Sequence, residues 1–333
     1  MPEFVKPDIS SPDRLPLLAI IGPTAVGKTK LVLELAERLG AEIVNVDSMQ
    51  VYQHMDIGTA KPNAQERRLV RHHLLDLVKP DEEYNVGRFV LDATEVCREI
   101  GERGKLPILT GGTGLYLRSF QDGLCTMGAG GLGKNVSNPE VEKIRDGLKE
   151  ALLEQGRVVL HERLAAIDPF SAARIHPNDS GRLLRALEVY ELTGQTWSDH
   201  LVRQKNGLEQ GAARRNILKI GLTGKRDWLY ERINLRAAQM LQGGLIEEVE
   251  MLLGMGFGRE LKPMQALGYR HVGEFLSGQR DLPATQELLA QDTRHYAKRQ
   301  LTWFRRDSEI AWFGPEQQTE IVSLVEKYLE DFR

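Results

Sequence analysis

The sequence predicts an α/β fold in which helices flank a parallel sheet and a small α-helical insertion domain interrupts the chain. Three observations carry this. Leu17-Leu18-Ala19-Ile20-Ile21 is a short apolar run, as expected of a strand buried on both faces. Residues 30–39 then place Leu31, Leu35 and Leu39 at helical spacing, with Gly40 positioned to cap the C-terminus. Strand and helix patterns continue to alternate, which implies parallel strands joined by helical crossovers.

Between that first strand and helix lies Gly22-Pro23-Thr24-Ala25-Val26-Gly27-Lys28-Thr29, a full match to G-x-x-x-x-G-K-[ST]. A glycine-rich turn from strand to helix points backbone N–H groups and the positive end of the helix dipole at one anion. Lys28 is expected to reach the terminal phosphates and the Thr29 hydroxyl to hold Mg²⁺. The sheet is therefore expected to be P-loop NTPase-like. A loop that merely turns the chain leaves the Lys-Thr pair at the helix mouth unexplained.

Glu42-Ile43-Val44-Asn45-Val46 reads as the second strand, ending in Asp47. Residues 48–62 form a long polar loop with no periodicity, too rich in Tyr, Met, Val and Ile for disorder. His72-His73-Leu74-Leu75-Asp76 is ambiguous, and residues 89–100 read as a helix. Leu106-Pro107-Ile108-Leu109-Thr110 is a further strand running into Gly111-Gly112-Thr113-Gly114. Ligands of such sheets lie off the C-terminal strand ends, and the P-loop, Asp47 and Thr113 all fall there.

The core is read as residues 1–122 and 210–333, with the helical insertion at 123–209. Gly128, Gly130 and Gly133 formally spell G-x-G-x-x-G, but no strand precedes them, so they read as a surface hinge. Helices are expected from residue 139 to Gly156, at 158–167 and at 181–193. The strand Leu218-Lys219-Ile220-Gly221-Leu222 returns to the sheet. Helices follow at 228–241, 245–255 and within 285–306, and an amphipathic tail helix lies in 315–333. On the 285–306 helix, Arg294, Lys298 and Arg305 share one stripe and Arg299 and Arg306 an adjoining one. His295, Tyr296, Trp303 and Phe304 are interleaved with them, a mixture suited to phosphate contacts with base stacking.

With 333 residues, 41% of them hydrophobic, the chain has material for a full core. A net charge of −3 excludes a global basic field, so an RNA partner has to be held by local patches. Two cysteines exclude a disulfide framework, scattered histidines do not make a structural metal site, and no segment approaches the ~20 apolar residues that span a bilayer. The N-terminal residues lack the apolar core of a signal peptide. These features are those of a cytoplasmic protein away from membranes, and nothing calls for more than a monomer.

The P-loop indicates phosphate but no particular reaction. A P-loop ATP-dependent kinase wants a metal-binding Asp at the end of a separate hydrophobic strand, and the strand ending at Thr110 carries none. Asp47 serves either a metal or as a base that takes a proton.

The P-loop, Val46-Asp47-Ser48-Met49-Gln50-Val51-Tyr52 and Met55-Asp56-Ile57-Gly58-Thr59-Ala60-Lys61-Pro62 together resemble the tRNA dimethylallyltransferases. So do Gly111-Gly112-Thr113-Gly114-Leu115-Tyr116, His176-Pro177-Asn178-Asp179, Gly268-Tyr269-Arg270 and Ala297-Lys298-Arg299-Gln300-Leu301-Thr302-Trp303, in order over residues 17–307. The resemblance implies transfer of a dimethylallyl group from dimethylallyl diphosphate to N6 of the adenosine 3′ of a tRNA anticodon. It implies Asp47 as general base, Thr113 as active-site threonine, Mg²⁺ with the diphosphate, and Arg226 assisting that diphosphate. It also implies RNA contacts from Asp47, Ser48, Met49, Gln50 and Thr113, from Gly181-Arg182-Leu183-Leu184-Arg185, and from Arg294, Lys298 and Arg299. Gly181 stands where family members usually carry Gln. Transfer to free AMP, by an adenylate isopentenyltransferase, is the alternative activity.

Overall fold

The computed structural model describes residues 15–123, 139–205 and 214–332. The glycine run at 128–133 and the N-terminal residues judged against a signal peptide lie outside them. Two compact units result, one from residues up to Gln121 with those from Arg215 onward, the other from Asp122–Arg214.

The first unit begins with β1 (Leu17–Ile21), α1 (Lys28–Leu39), β2 (Glu42–Val46), α2 (Ala64–Leu69) and β3 (His72–His73). It continues with α3 (Val86–Glu102), β4 (Pro107–Gly111) and α4 (Gly114–Asp122). The second unit is helical: α5 (Pro139–Ile167), α6 (Pro169–Arg174), α7 (Ser180–Thr193) and α8 (Trp197–Lys205). The chain re-enters the first unit at β5 (Ile217–Leu222), followed by α9 (Arg226–Met240), α10 (Ile246–Gly254) and α11 (Tyr269–Leu276). It ends with α12 (Leu282–Phe304), β6 (Ile310–Phe313) and α13 (Gln318–Glu330).

The six strands form one sheet in the order β3-β2-β4-β1-β5-β6, every pair parallel. Two-sided coverage explains why β1 and β2 are buried at every position. Leu18, Ile20, Ile43, Ile108 and Ile220 of the sheet pack with Leu31 and Leu35 of α1, Ile233 of α9 and Ile321 and Val325 of α13. The tail helix thus closes one face of the sheet. The register Val46↔Gly111 sets the end of β2 beside the end of β4, so that Asp47 and Thr113 leave neighbouring strands.

In the second unit Leu148, Leu160, Leu164, Leu183 and Leu187 form a separate small core. Gly156 ends the first half of α5 as expected: its φ of 81° is a non-helical value that suits glycine, and it divides the range into two helices meeting at a kink. Helices α2, α4, α6, α8 and α11 and strand β6 have no counterpart among the elements that the sequence patterns predict. Most are short, and a few residues of pattern do not separate a helical turn from a loop.

Candidate active site

The P-loop is built by steric necessity. A Cβ on Gly22 would sit 2.6 Å from the Leu222 carbonyl oxygen of β5, and Gly27, at the mouth of α1, holds φ 104°. Ala25 also adopts a left-handed φ of 64°, as the tight turn demands. Lys28 folds back over the loop, its Nζ donating to the Gly22 and Pro23 carbonyls at 3.0 and 2.9 Å. Arg232 of α9 donates from Nε to the Ala25 carbonyl at 2.8 Å. Thr29 is exposed in the first helical turn and lines the cavity described below, while Val26 is buried in the core.

Helix α12 holds the other side of the loop. Gln300 Oε1 accepts the Thr24 N–H at 2.9 Å, and its Nε2 donates to the Gly112 carbonyl at 3.0 Å. Gly112 and Gly114 are glycines for this reason: a Cβ there would lie 2.1 Å from Gln300 and 2.1 Å from the Trp303 indole. Thr113, between them, accepts the Ser48 N–H on Oγ1 at 3.1 Å and donates its own N–H to the Val46 carbonyl. Asp47 Oδ1 accepts the Met49 N–H at 2.8 Å, which fixes the carboxylate at the strand end.

The 48–62 loop is ordered from within. Glu248 of α10 is a buried carboxylate that accepts the N–H groups of Asp56, Ile57 and Gly58 at 3.0, 2.8 and 3.1 Å. It also accepts the Tyr269 hydroxyl at 2.6 Å. Lys61, almost wholly buried, donates to the Tyr52 carbonyl and to Asp56 and Asp76. Gln50 uses its amide nitrogen on the Thr59 and Ala60 carbonyls, so that group shapes the loop rather than facing outward.

These elements enclose a cavity of about 1010 Å³ in the first unit, lined by Lys28, Thr29, Asp47, Arg236, Tyr296 and Gln300 among others. Its electrostatics are coupled. Burial and then the Arg236 guanidinium depress Lys28 to about 8, against the pull of Asp47. Burial raises Asp47, opposed by its hydrogen bond from Met49 and by Lys28. Burial lowers Arg236, with Asp47 working the other way. Lys28, Arg232 and Arg236 thus crowd one side of the cavity with Asp47 as the nearby carboxylate, an arrangement suited to an anion.

Several predicted residues come together here: Thr24, Ala25, Gly27, Lys28 and Thr29 of the P-loop line the cavity with Asp47, Ser48, Met49, Gln50 and Arg299, and Thr113 is bonded to Ser48 beside it, whereas Gly22, Pro23 and Val26 are not lining residues. Arg226 is not among the lining residues. It is exposed at the start of α9 with its guanidinium 5.0 Å from the Tyr230 ring centroid. The cavity arginines of α9 are Arg232 and Arg236 instead, four residues apart on one helical face. That spacing was the available signal, but which face of the helix turns inward depends on tertiary packing.

The RNA-binding expectation for α12 divides. Lys298 and Arg299 are exposed, whereas Arg294 bonds Asn234 at 2.5 Å and stands 5.8 Å from the Tyr230 ring centroid. The expected base stacking by Trp303 and Phe304 is corrected: Phe304 is core and Trp303 fills the space beside Gly114. In the second unit Arg182 is exposed and Arg185 pairs with Glu188 at 2.8 Å. Leu183 is fully buried and Leu184 packs against the same core, so neither presents a free side chain to RNA; Gly181 is exposed.

Among the described residues no three His, Cys, Asp or Glu side chains gather into a metal site, and no helix is long and apolar enough to cross a membrane. The exposed Thr29 hydroxyl is a hard oxygen donor on a phosphate cradle. This suits Mg²⁺, which takes few protein ligands and completes its shell with water and phosphate oxygens.

The IPP transferase family model matches residues 50–307, and the isopentenyl transferase model matches residues 15–79. A tRNA dimethylallyltransferase of Desulfotalea psychrophila is 46% identical over 95% of this chain and 96% of its own length. One from Syntrophobacter fumaroxidans is 47% identical over 95% of this chain and 89% of its own. Among solved structures, the tRNA isopentenylpyrophosphate transferase of Bacillus halodurans superposes with a TM-score of 0.67 at 40% identity, covering 95% of this chain and 97% of that one. A eukaryotic dimethylallyltransferase acting on tRNA gives a TM-score of 0.78 at 24% identity over 96% of this chain and 80% of that one, a likeness of fold. By the length and continuity of these matches, the chain belongs to the IPP transferase family.

Proposed function

We propose that this chain transfers the dimethylallyl group of dimethylallyl diphosphate to N6 of the adenosine 3′ of the anticodon in tRNA. The observation that carries the reading is a phosphate cradle and a fixed carboxylate, Asp47, opening into one cavity. The C1–O bond of the donor breaks and its electrons leave on diphosphate. The N6 lone pair forms the new bond to C1, and Asp47 takes the N6 proton. Charge grows on the leaving diphosphate, so P-loop N–H groups, Lys28 and Arg236 act where stabilisation accelerates the step. Mg²⁺ held by Thr29 would supply further neutralisation of that charge. Thr113 holds the Ser48 N–H and so keeps the Asp47 turn in place. The base must leave its stack to reach Asp47, which costs least from an open loop.

Labelled dimethylallyl diphosphate offered with unmodified tRNA, or with AMP, tests the reading. Label in tRNA supports it, and label in AMP alone assigns the chain to the free-nucleotide reaction.

Two further outcomes are expected. Because Lys28 titrates at about 8 in the free protein and an anion favours its charged form, diphosphate binding takes up a proton above that pH. At a pH about half a unit higher, where dimethylallyl diphosphate itself is fully ionised, its calorimetric binding heat therefore differs between buffers of unequal ionisation enthalpy, and Lys28→Arg removes that proton uptake. Equal heats for the unaltered protein would contradict it. For RNA, Lys298→Ala lowers the slope of log affinity against log salt by about 0.7–1 without altering diphosphate binding, since it removes one phosphate contact. Filter-binding titrations over a salt series read this directly.

A further inference from the structure

Helix α9 carries a single stripe into the cavity: Arg232, Ile233, Arg236, Ala237 and Met240. The stripe changes character along its length. At the N-terminal end Arg232 holds the Ala25 carbonyl of the P-loop, and Arg236 acts on both Lys28 and Asp47. Past Arg236 the same face offers only hydrocarbon and thioether, Ala237 and then Met240. Helix α12 packs against α9 and adds Leu289 to the lining, with the polar Asp292, Thr293 and Tyr296 following it toward Gln300. Beyond Met240 the helix passes into a π-helical turn, Leu241–Leu245. There Leu241 and Leu245 are buried, and the space beside Gly244 is bounded by Ile57, where a Cβ would lie 3.2 Å from the Ile57 methyl.

We propose that this stripe sets the chain length of the donor, with Met240 as the stop against which a five-carbon allylic group ends. The inference rests on the transferase reading above and names the donor class of that same site. The diphosphate–carbon junction belongs at Arg236, the residue facing both the phosphate-binding lysine and the base. At ~1.5 Å rise per residue, Met240 lies about 6 Å further along the helix. A dimethylallyl group extends three carbon–carbon bonds past its oxygen-bearing carbon to the terminal methyls, roughly 4 Å at ~1.5 Å per bond. A full carbon–carbon contact of ~3.5–4.0 Å beyond the terminal methyls takes up the rest of that distance, so the group ends against the Met240 side chain. A second isoprene unit doubles the chain and runs into the Met240 side chain. Met is unbranched and adaptable, so it closes around the branched terminus of a short chain.

The test compares dimethylallyl diphosphate with geranyl diphosphate as donors to the same tRNA, in the unaltered chain and in Met240→Ala and Leu289→Ala. In Met240→Ala the ratio of kcat/KM for the ten-carbon donor to that for the five-carbon donor is expected to rise roughly 10–200-fold, the range within which apolar pockets discriminate by size. Leu289→Ala should move the ratio in the same direction by less. Inorganic diphosphate titrated into each variant reports whether the P-loop end is intact. A ratio unchanged in both variants, with diphosphate binding retained, overturns the proposal. Failure of the unaltered chain to label tRNA from either donor would instead overturn the transferase reading, a separate result.

Discussion

Asp47→Asn lowers kcat for prenyl transfer about 10²–10⁴-fold, the span that a positioned general base contributes, and leaves tRNA binding in place. Asn is the more informative substitution than Ala. Asp47 accepts the Met49 N–H on one carboxylate oxygen, and in the proposed reaction the same group takes the proton. Asn keeps an oxygen for Met49 and loses the base, so its defect is chemical, whereas Ala loosens the turn as well. The pH dependence carries the same signature. Burial raises Asp47 above the ordinary carboxylate range, so the acid limb of the rate profile lies above that range too. Activity falls as pH drops through the raised value, because the protonated carboxyl cannot accept the N6 proton. The asparagine variant should lose that limb altogether. Single-turnover rates across pH read both effects, and near-normal turnover by the Asp47→Asn variant would remove Asp47 from the chemistry.

What could be read from the sequence is what is local in it. The P-loop declares itself because strand, turn and helix are contiguous and its glycines answer to nearby backbone geometry. Asp47 and Thr113 were legible as residues following apolar runs, since ligands of parallel sheets lie off those ends. The inner wall was not. Arg232, Arg236 and Met240 sit on a helix whose inward face is chosen by α12 and the sheet, and Arg226, earlier on the same helix, is equally basic yet points elsewhere. The glycines at 112 and 114 follow a strand and give no local sign of their reason; close approach of Gln300 and Trp303, from a helix far along the chain, accounts for both. The cations and aromatics of α12 suggest an RNA grip. Its Gln300, Trp303 and Phe304 are spent inside the protein, so the same helix also supports the P-loop. Burial of an aromatic next to an exposed cation is invisible to composition.

Glu248 had no signal at all, and its removal is expected to give the largest loss of stability. Its two oxygens accept three consecutive backbone N–H groups, of Asp56, Ile57 and Gly58, and the hydroxyl of Tyr269. Tyr269 is itself buried against Gly58, where a Cβ would lie 2.5 Å from the ring, and burial followed by the neighbouring carboxylate holds its phenol protonated. Glu248→Ala therefore strands several buried donors at once. Each unsatisfied group costs ~1–3 kcal/mol, and local relaxation toward water recovers part of it, which leaves a net loss of roughly 3–5 kcal/mol. Glu248→Gln should cost less, since one amide oxygen still accepts while its NH₂ faces donors. The functional consequence follows from Gln50, the neighbour of Met49 in the chain, whose amide binds the Thr59 and Ala60 carbonyls of the same loop. Once residues 56–60 lose their anchor, the turn that fixes Asp47 loses its outer support, and prenyl transfer falls along with stability. Urea unfolding midpoints for the three proteins should rank unaltered, Gln, Ala. Amide hydrogen exchange at residues 56–58 should speed up in the Ala variant even where the rest of the sheet stays protected. Persistent protection of those three amides in Glu248→Ala would mean that the loop is held by something other than this carboxylate.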